Sequence, residues 1–145
     1  MKHLPQQAAT VAVRRVGASV EVCLIRKKTS KRWGIPKGLV ESGDTHEETA
    51  LKEAAEEAGI SGRLIGDAVG IYEYEKWDTR FAVTVYLMEV LEEHETWEEA
   101  DRRQRRWTSW DKATSLLTDH PARPLLERAR KRVDERRRAR KRATP

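Results

Sequence analysis

Three glutamates, Glu53, Glu56 and Glu57, fall in the run HEETALKEAAEEAG from His46 to Gly59, whose remaining positions read as a helix. At about 100° per residue they share one face, while Leu51, Ala54, Ala55 and Ala58 point to nearly the opposite one. One face packs and the other collects carboxylates. Like charges three and four residues apart cost a helix roughly 0.2–0.5 kcal/mol per pair, and Lys52 alone cannot neutralise three of them. Hard divalent cations such as Mg²⁺ or Mn²⁺ take carboxylate and water oxygens, so a metal would turn this repulsion into binding energy. A glutamate-rich solvent face on an exposed helix is the plain alternative. The flanking pattern favours the metal: Pro36-Lys37-Gly38 makes a tight loop, Gly43 and a capped helix start follow five to seven residues on, and Gly59 closes the helix.

With those residues in place, the segment GLVESGDTHEETALKEAAEEAGI, residues 38–60, resembles the Nudix hydrolase signature. That signature reads G, five residues, E, seven residues, R-E-U-x-E-E-x-G-U, with U a bulky aliphatic. Gly38, Glu53, Glu56, Glu57, Gly59 and Ile60 match it in register, while Asp44 replaces the first Glu, Lys52 the Arg and Ala54 the bulky aliphatic. Asp44 keeps its charge on a shorter arm, and Lys52 keeps the charge without the planar fork. The flanking segments RWGIPKG, GISGRLIGDAVGIYEY and RRWTSWDKATSLLTDHPARPLLERA are similar to the diphosphoinositol polyphosphate and diadenosine polyphosphate hydrolase branch.

The resemblance implies a Nudix-type α/β/α sandwich with a mixed β-sheet, and a metal-dependent hydrolase of phosphoanhydride bonds. It implies metal ligands at Glu53, Glu56 and Glu57 with the Gly38 carbonyl, catalytic roles for the same three glutamates, and one more acid from the later loop. Glu95, Glu98 and Glu99 are the candidates there, and the general base comes from the helix or from that loop. A phosphoanhydride's negative oxygens repel a nucleophile, so catalysis needs neutralised charge and an oriented water.

Arg26, Lys28, Arg32 and Lys37, leading into the loop, are the candidates to meet further phosphates. Arg80 is a lesser candidate that depends on strand pairing. Trp33 reads as loop packing ahead of base stacking, Trp107 and Trp110 as core or helix-docking residues, and His46 as exposed without a role. The small-molecule substrate this suggests has a highly charged end: a diphosphoinositol polyphosphate or a dinucleoside polyphosphate. Two other readings compete, an RNA 5′-pyrophosphohydrolase and a nucleotide-binding module of the same fold without hydrolysis. Retention of all three helix glutamates argues against the last.

Around the helix, Ala8–Val16 and Ser19–Ile25 read as a hairpin turning at Gly17-Ala18. Thr45 with Glu48 makes a capping box for a helix over residues 46–58. Leu64–Tyr74 and Phe81–Val90 follow as strands, 91–106 as a polar loop, Arg106–Trp110 as a short strand, and Asp111–Leu117 as a helix capped by Asp111. Beyond Pro124 a helix continues into the basic run, with its packed half ending near Val133.

The chain has 145 residues, 38% of them hydrophobic, enough for one modest core, and 37% charged, well above the usual quarter. From Pro121 to Pro145 eleven Lys or Arg face three acids, a net of +8, so the other 120 residues carry 18 basic and 21 acidic groups and the net charge of +5 belongs to the tail. This divides the chain into a domain over 1–133 and a basic tail over 134–145. The tail admits nucleic acid as a partner, but with no aromatics after Trp110 it reads first as a solvated charge run. Cys23 is the single cysteine, read as buried and inert. With neither a secretory leader nor a membrane-spanning run, the expected setting is cytoplasmic. The oligomeric state stays open.

Overall fold

The structure, a computed structural model, describes residues 4–143. Met1–His3 of the N-terminus and Thr144 and Pro145 of the basic tail lie outside the described residues. β1 (Gln6–Val16) and β2 (Ser19–Lys27) form the expected hairpin, with Val16 opposite Ser19 across Gly17-Ala18. The segment Leu64–Tyr74, expected as one strand, is two: β4 (Ile60–Leu64) and β5 (Gly70–Lys76) lie in succession along one edge of β6 (Thr79–Glu93). Between them Ile65 and Val69 still donate to Leu87 and Val85 carbonyls of β6, so residues 66–68 loop out while the apolar pattern runs on. Arg132 closes the loop by donating to the carbonyls of Ile65 and Asp67.

On its other edge β6 pairs in parallel with β1, from Gln6↔Ala82 to Val13↔Glu89. The far edge of β1 is shared by β2 and by the three-residue β3 (Lys37–Leu39), and β7 (Arg103–Thr108) pairs with β2. Among the described residues this is one mixed sheet of seven strands. The polar loop expected over 91–106 shrinks to 94–102, because its charged ends are ladder residues: Glu93 in β6 is bridged by Arg14 of β1 and Arg105 of β7.

Side chains alternate across β1, β2 and β6, and both sets are apolar, so both faces need covering. Val11, Val13, Leu24, Val85 and Leu87 face α2 (Trp110–Leu116) and α3 (Arg123–Ala143), which contribute Trp110, Leu125, Leu126 and Ala129. Ala8, Ala12, Cys23 and Met88 face α1 (His46–Ala58). The expected three-layer α/β/α arrangement is present. Trp110 is core and Trp107 packs beside the second cluster under Arg14, as expected. Burial pushes the Cys23 thiol up to about 12, which keeps it an inert thiol at neutral pH.

The start of α1 is fixed locally: Thr45 Oγ1 accepts from the Glu48 N–H and Glu48 Oε1 from the Thr45 N–H, an arrangement worth about 1 kcal/mol. Ala50, Ala54 and Ala58 lie against Ala8 and Ala12, and small side chains on both elements let helix and sheet approach closely. Ala55 is exposed, a correction to the packed face read from the sequence. The cap of α2 is Ser109, whose Oγ accepts from the Lys112 N–H, in place of the expected Asp111. α3 is continuous across residue 133, and beyond it Arg137 donates to the Ala18 carbonyl. Among the described residues no helix is long and apolar enough to cross a membrane.

Candidate active site

Beside its alanine face, α1 turns its glutamates toward the short edge strand β3. Glu53 lies so close to Gly38 that a Cβ there would stand 2.2 Å from its carboxyl carbon, so any other residue would displace the carboxylate. Glu57, 8% exposed, is held from two sides: the Lys37 N–H donates to Oε1 (3.0 Å) and Arg103 Nη2 to Oε2 (2.8 Å). Glu56 is half-buried beside them. Burial, and then the charges of Glu57, Glu56 and Glu99, push the Glu53 carboxyl up to about 7. Burial also raises Glu57, with the Lys37 N–H and Arg103 acting the other way.

Of the three loop acids, the structure brings Glu99 to this cluster and leaves Glu95 and Glu98 exposed. Four contacts pin residues 94–102 onto the C-terminal end of α1. The Trp97 indole donates to the Glu57 carbonyl (3.0 Å), the Glu99 N–H to the Glu56 carbonyl (3.0 Å) and the His94 N–H to the Gly59 carbonyl (2.8 Å). Arg105 donates to the carbonyls of Ala58, Gly59 and His94, capping helix and loop together. Gly59 has φ +66 with Trp97 against it, where a Cβ would come within 2.7 Å of the ring. Glu99 is thereby turned inward, and Arg103 Nε donates to its Oε1 (3.0 Å).

Four carboxylates, two of them sharing one guanidinium, are a hard-oxygen donor set short of positive charge, which fits a divalent cation of the Mg²⁺ type. As the side chains stand, no three His, Cys, Asp or Glu among the described residues converge closely enough to hold one. Glu57 is committed to the Lys37 N–H and Arg103, and metal binding would require the cluster to draw in.

Of these carboxylates, Glu57 opens onto a cleft of about 460 Å³. Arg26 and Lys27 of β2, Arg32 and Lys37 from the following loop and β3, Lys76 of β5 and Arg103 of β7 line it, with Glu57 as the one acid among the described lining residues. Three of the four basic candidates, Arg26, Arg32 and Lys37, are therefore in the cleft. Lys28 is not: it lies one residue past β2, exposed, with its N–H on the Arg102 carbonyl. Arg80 sits on the β5–β6 hairpin, paired to Glu73 and Glu75. His46 is half-buried rather than exposed, 3.4 Å from Gln6 Oε1. Trp33 carries Arg26 (4.7 Å) and Arg106 (5.8 Å) against its ring.

A family model, the NUDIX domain, matches residues 4–129. The chain belongs to the Nudix family. It is 34% identical over 110 residues to Nudix hydrolase 4 of Arabidopsis thaliana, covering 74% of this chain and 53% of that protein. It is 33% identical over 91 residues to diphosphoinositol polyphosphate phosphohydrolase 3-alpha of Homo sapiens, covering 61% and 54%. The chain thus spans about half the length of these curated relatives. In fold it is similar to the C. elegans Ap4A hydrolase in a binary complex, with a TM-score of 0.79 and 20% identity over 91% of this chain and 99% of that one.

Beyond the Nudix box, sequence reasoning missed Lys27, Lys76, Arg103, Tyr72, Tyr74 and His120 as cleft residues. The alternation of β5 could have pointed to Tyr72, Tyr74 and Lys76 on one face, whereas nothing local marks Arg103 among the many arginines near it. Tyr72 is 7% exposed with its hydroxyl unpartnered, and Tyr74 donates to Gln7 (2.6 Å). His120 meets Tyr72 edge-on (5.7 Å) and accepts the Ala122 N–H on Nδ1 (3.0 Å).

Burial, and then Lys37, lower His120 to about 4 from its ordinary 6.5. The unfolded chain therefore binds the proton more readily, and the stability His120 contributes is full above pH 6.5 and lost as the pH falls through about 4. Urea midpoints measured from pH 7 to pH 4 are expected to fall more steeply for the parent than for His120→Asn, which keeps an acceptor without titrating. Parallel curves would show that the imidazole does not resist protonation.

Proposed function

We propose that this chain is a metal-dependent pyrophosphohydrolase acting on a small, highly anionic polyphosphate. The observation that carries the reading is that the Glu53–Glu56–Glu57 face reaches, through Glu57, a cleft lined by six cationic side chains from four strands and one loop. Glu53, Glu56 and Glu57, with the Gly38 carbonyl and Glu99, would hold Mg²⁺ or Mn²⁺, which when bound neutralises the scissile bridge and lowers the pKa of a coordinated water. Arg26, Arg32, Lys37, Lys27 and Lys76 hold the remaining phosphates and orient the substrate along the cleft. A cytoplasmic setting belongs to the same reading.

Between the two substrate classes, a diphosphoinositol polyphosphate is favoured over a dinucleoside polyphosphate. Each aromatic ring at the cleft already has a cation or another ring against it: two guanidiniums on Trp33, Lys37 (4.9 Å) and Phe81 (5.2 Å) on Tyr74, and His120 on Tyr72. These groups compete with a base for contact with the rings. The likeness to a diphosphoinositol polyphosphate phosphohydrolase points the same way.

The test is kcat/KM for a diphosphoinositol phosphate, diadenosine hexaphosphate, ADP-ribose and a 5′-triphosphate RNA under one metal and salt condition, with Arg32→Ala beside the parent. The diphosphoinositol phosphate is expected to lead, and Arg32→Ala to lose roughly tenfold or more on it, as a charge-assisted phosphate contact is removed. If ADP-ribose led by tenfold and Arg32→Ala changed nothing, the polyphosphate assignment would fail. If RNA led and truncation after Val133 weakened its binding and flattened the salt dependence, the basic half of α3 would belong to the site.

A further inference from the structure

We propose that Arg103 is the positioning residue of the carboxylate cluster, fixing Glu57 and Glu99 relative to each other and supplying the planar fork that the box lacks at Lys52. The proposal rests on the metal-dependent reading above. The sequence places Lys52 where the signature has arginine, and in the structure Lys52 is exposed, with its ammonium in no hydrogen bond or ion pair among the described residues. Arg103 comes instead from β7, opposite Lys27 of β2, and reaches the helix from the sheet. Its Nη2 meets Glu57 at 2.8 Å and its Nε meets Glu99 at 3.0 Å, with the three side chains 19%, 10% and 18% exposed.

Two donors in one rigid plane set the separation of two acceptors, which a rotatable ammonium at the end of a flexible stem does not. Glu57 and Glu99 belong to different elements, the end of α1 and the loop before β7, and as like charges they repel. Glu57 Oε1 is already fixed by the Lys37 N–H, so Arg103 completes a two-sided hold on that carboxylate. Through Glu99 the same guanidinium ties the loop to the helix.

The alternative role is simple charge compensation, and the two differ in sign. A guanidinium that only neutralises the carboxylates competes with a cation, so removing it tightens metal binding. One that positions them weakens metal binding when removed, commonly by about 10- to 100-fold for a group behind the ligands.

The experiment is calorimetric titration of the metal-free parent, Arg103→Gln, Arg103→Lys and Glu99→Gln with Mn²⁺ alone, with circular dichroism and melting curves alongside. Arg103→Gln is expected to bind Mn²⁺ at least tenfold more weakly and Arg103→Lys to fall between it and the parent. In hydrolysis Arg103→Lys is expected to lose kcat with KM within about twofold, since the charge facing substrate is kept. If Arg103→Gln does not fold, Arg103→Lys and Glu99→Gln carry the test, and their double variant is expected to lose less Mn²⁺ affinity than the two single losses combined, because both changes break the Arg103–Glu99 link. Tighter Mn²⁺ binding on loss of Arg103 overturns the proposal in favour of charge compensation. Unchanged Mn²⁺ binding with a raised KM overturns it in favour of a substrate contact. A parent that binds no Mn²⁺ rejects the metal-dependent reading itself, before Arg103 enters.

Discussion

Glu56→Gln is expected to lower kcat by roughly 10³-fold at saturating Mg²⁺ while leaving the fold and Tm intact, on the scale set by loss of one preorganised charge-stabilising group. The expectation follows from what Glu56 lacks. Its carboxylate is half-buried on the cluster face and has no hydrogen bond or ion pair among the described residues, so the amide removes a charge without removing a structural partner. Loss of a like charge next to Glu53 relieves repulsion, and Tm should hold or rise. Glu57→Gln should reduce turnover as severely, but with a structural cost. Both Glu57 oxygens accept from donors, and a glutamine would turn its NH₂ toward either the Lys37 N–H or Arg103. The pair therefore separates chemistry from architecture: Tm falls in the second variant and not in the first. Parent-level hydrolysis by Glu56→Gln would remove the helix face from the mechanism.

Gly38→Ala is expected to disturb the carboxylate cluster directly. A Cβ at this position falls 2.2 Å from the Glu53 carboxyl carbon and 2.3 Å from its Oε1, far inside contact distance. Either Glu53 leaves its rotamer or β3 moves away from α1, and overpacking of this kind costs about 1–3 kcal/mol. A fall in Tm of roughly 5–10 °C should accompany a loss of hydrolysis of about 100-fold, because Glu53 moves away from the other carboxylates. Shortening the arm in Gly38→Ala/Glu53→Asp should recover part of the Tm, since the overlap is with the end of that side chain. Full activity in Gly38→Ala, or no Tm recovery in the double variant, would mean that Glu53 does not sit against Gly38.

Much of α1 is legible in the amino-acid sequence. Thr45, Glu48 and Gly59 act through their nearest backbone groups, which places the ends of α1, and a period of 3.6 puts Glu53, Glu56 and Glu57 together. The hairpin at Gly17-Ala18 is as local. Ala55 falls on the wrong side of the helix in such a reading because a band of alanines and leucine around a helix is wider than the surface the sheet covers, and composition does not mark its edge. The break between β4 and β5 is hidden because Ile65 and Val69 keep both bonding to β6 and burial while the residues between them loop out.

Short-range spacing sets the register of the three helix glutamates, and through the signature they complete it marks the family and, by that resemblance, the three-layer class. The tertiary structure decided which acid joins them and which basic groups face them. In sequence Glu99 is indistinguishable from Glu95 and Glu98, and it is singled out only where Trp97 and Arg105 pin the loop to the end of α1. Lys28 and Lys27 differ by one residue, yet Lys27 lines the cleft while Lys28 lies past the end of β2. Arg103 reaches Glu57 across 46 positions of chain only because β1 joins β6 in parallel and β2 carries β7 beside α1. Helix periodicity and capping act within a few residues of their cause, whereas strand pairing and side-chain convergence depend on partners that no local pattern names.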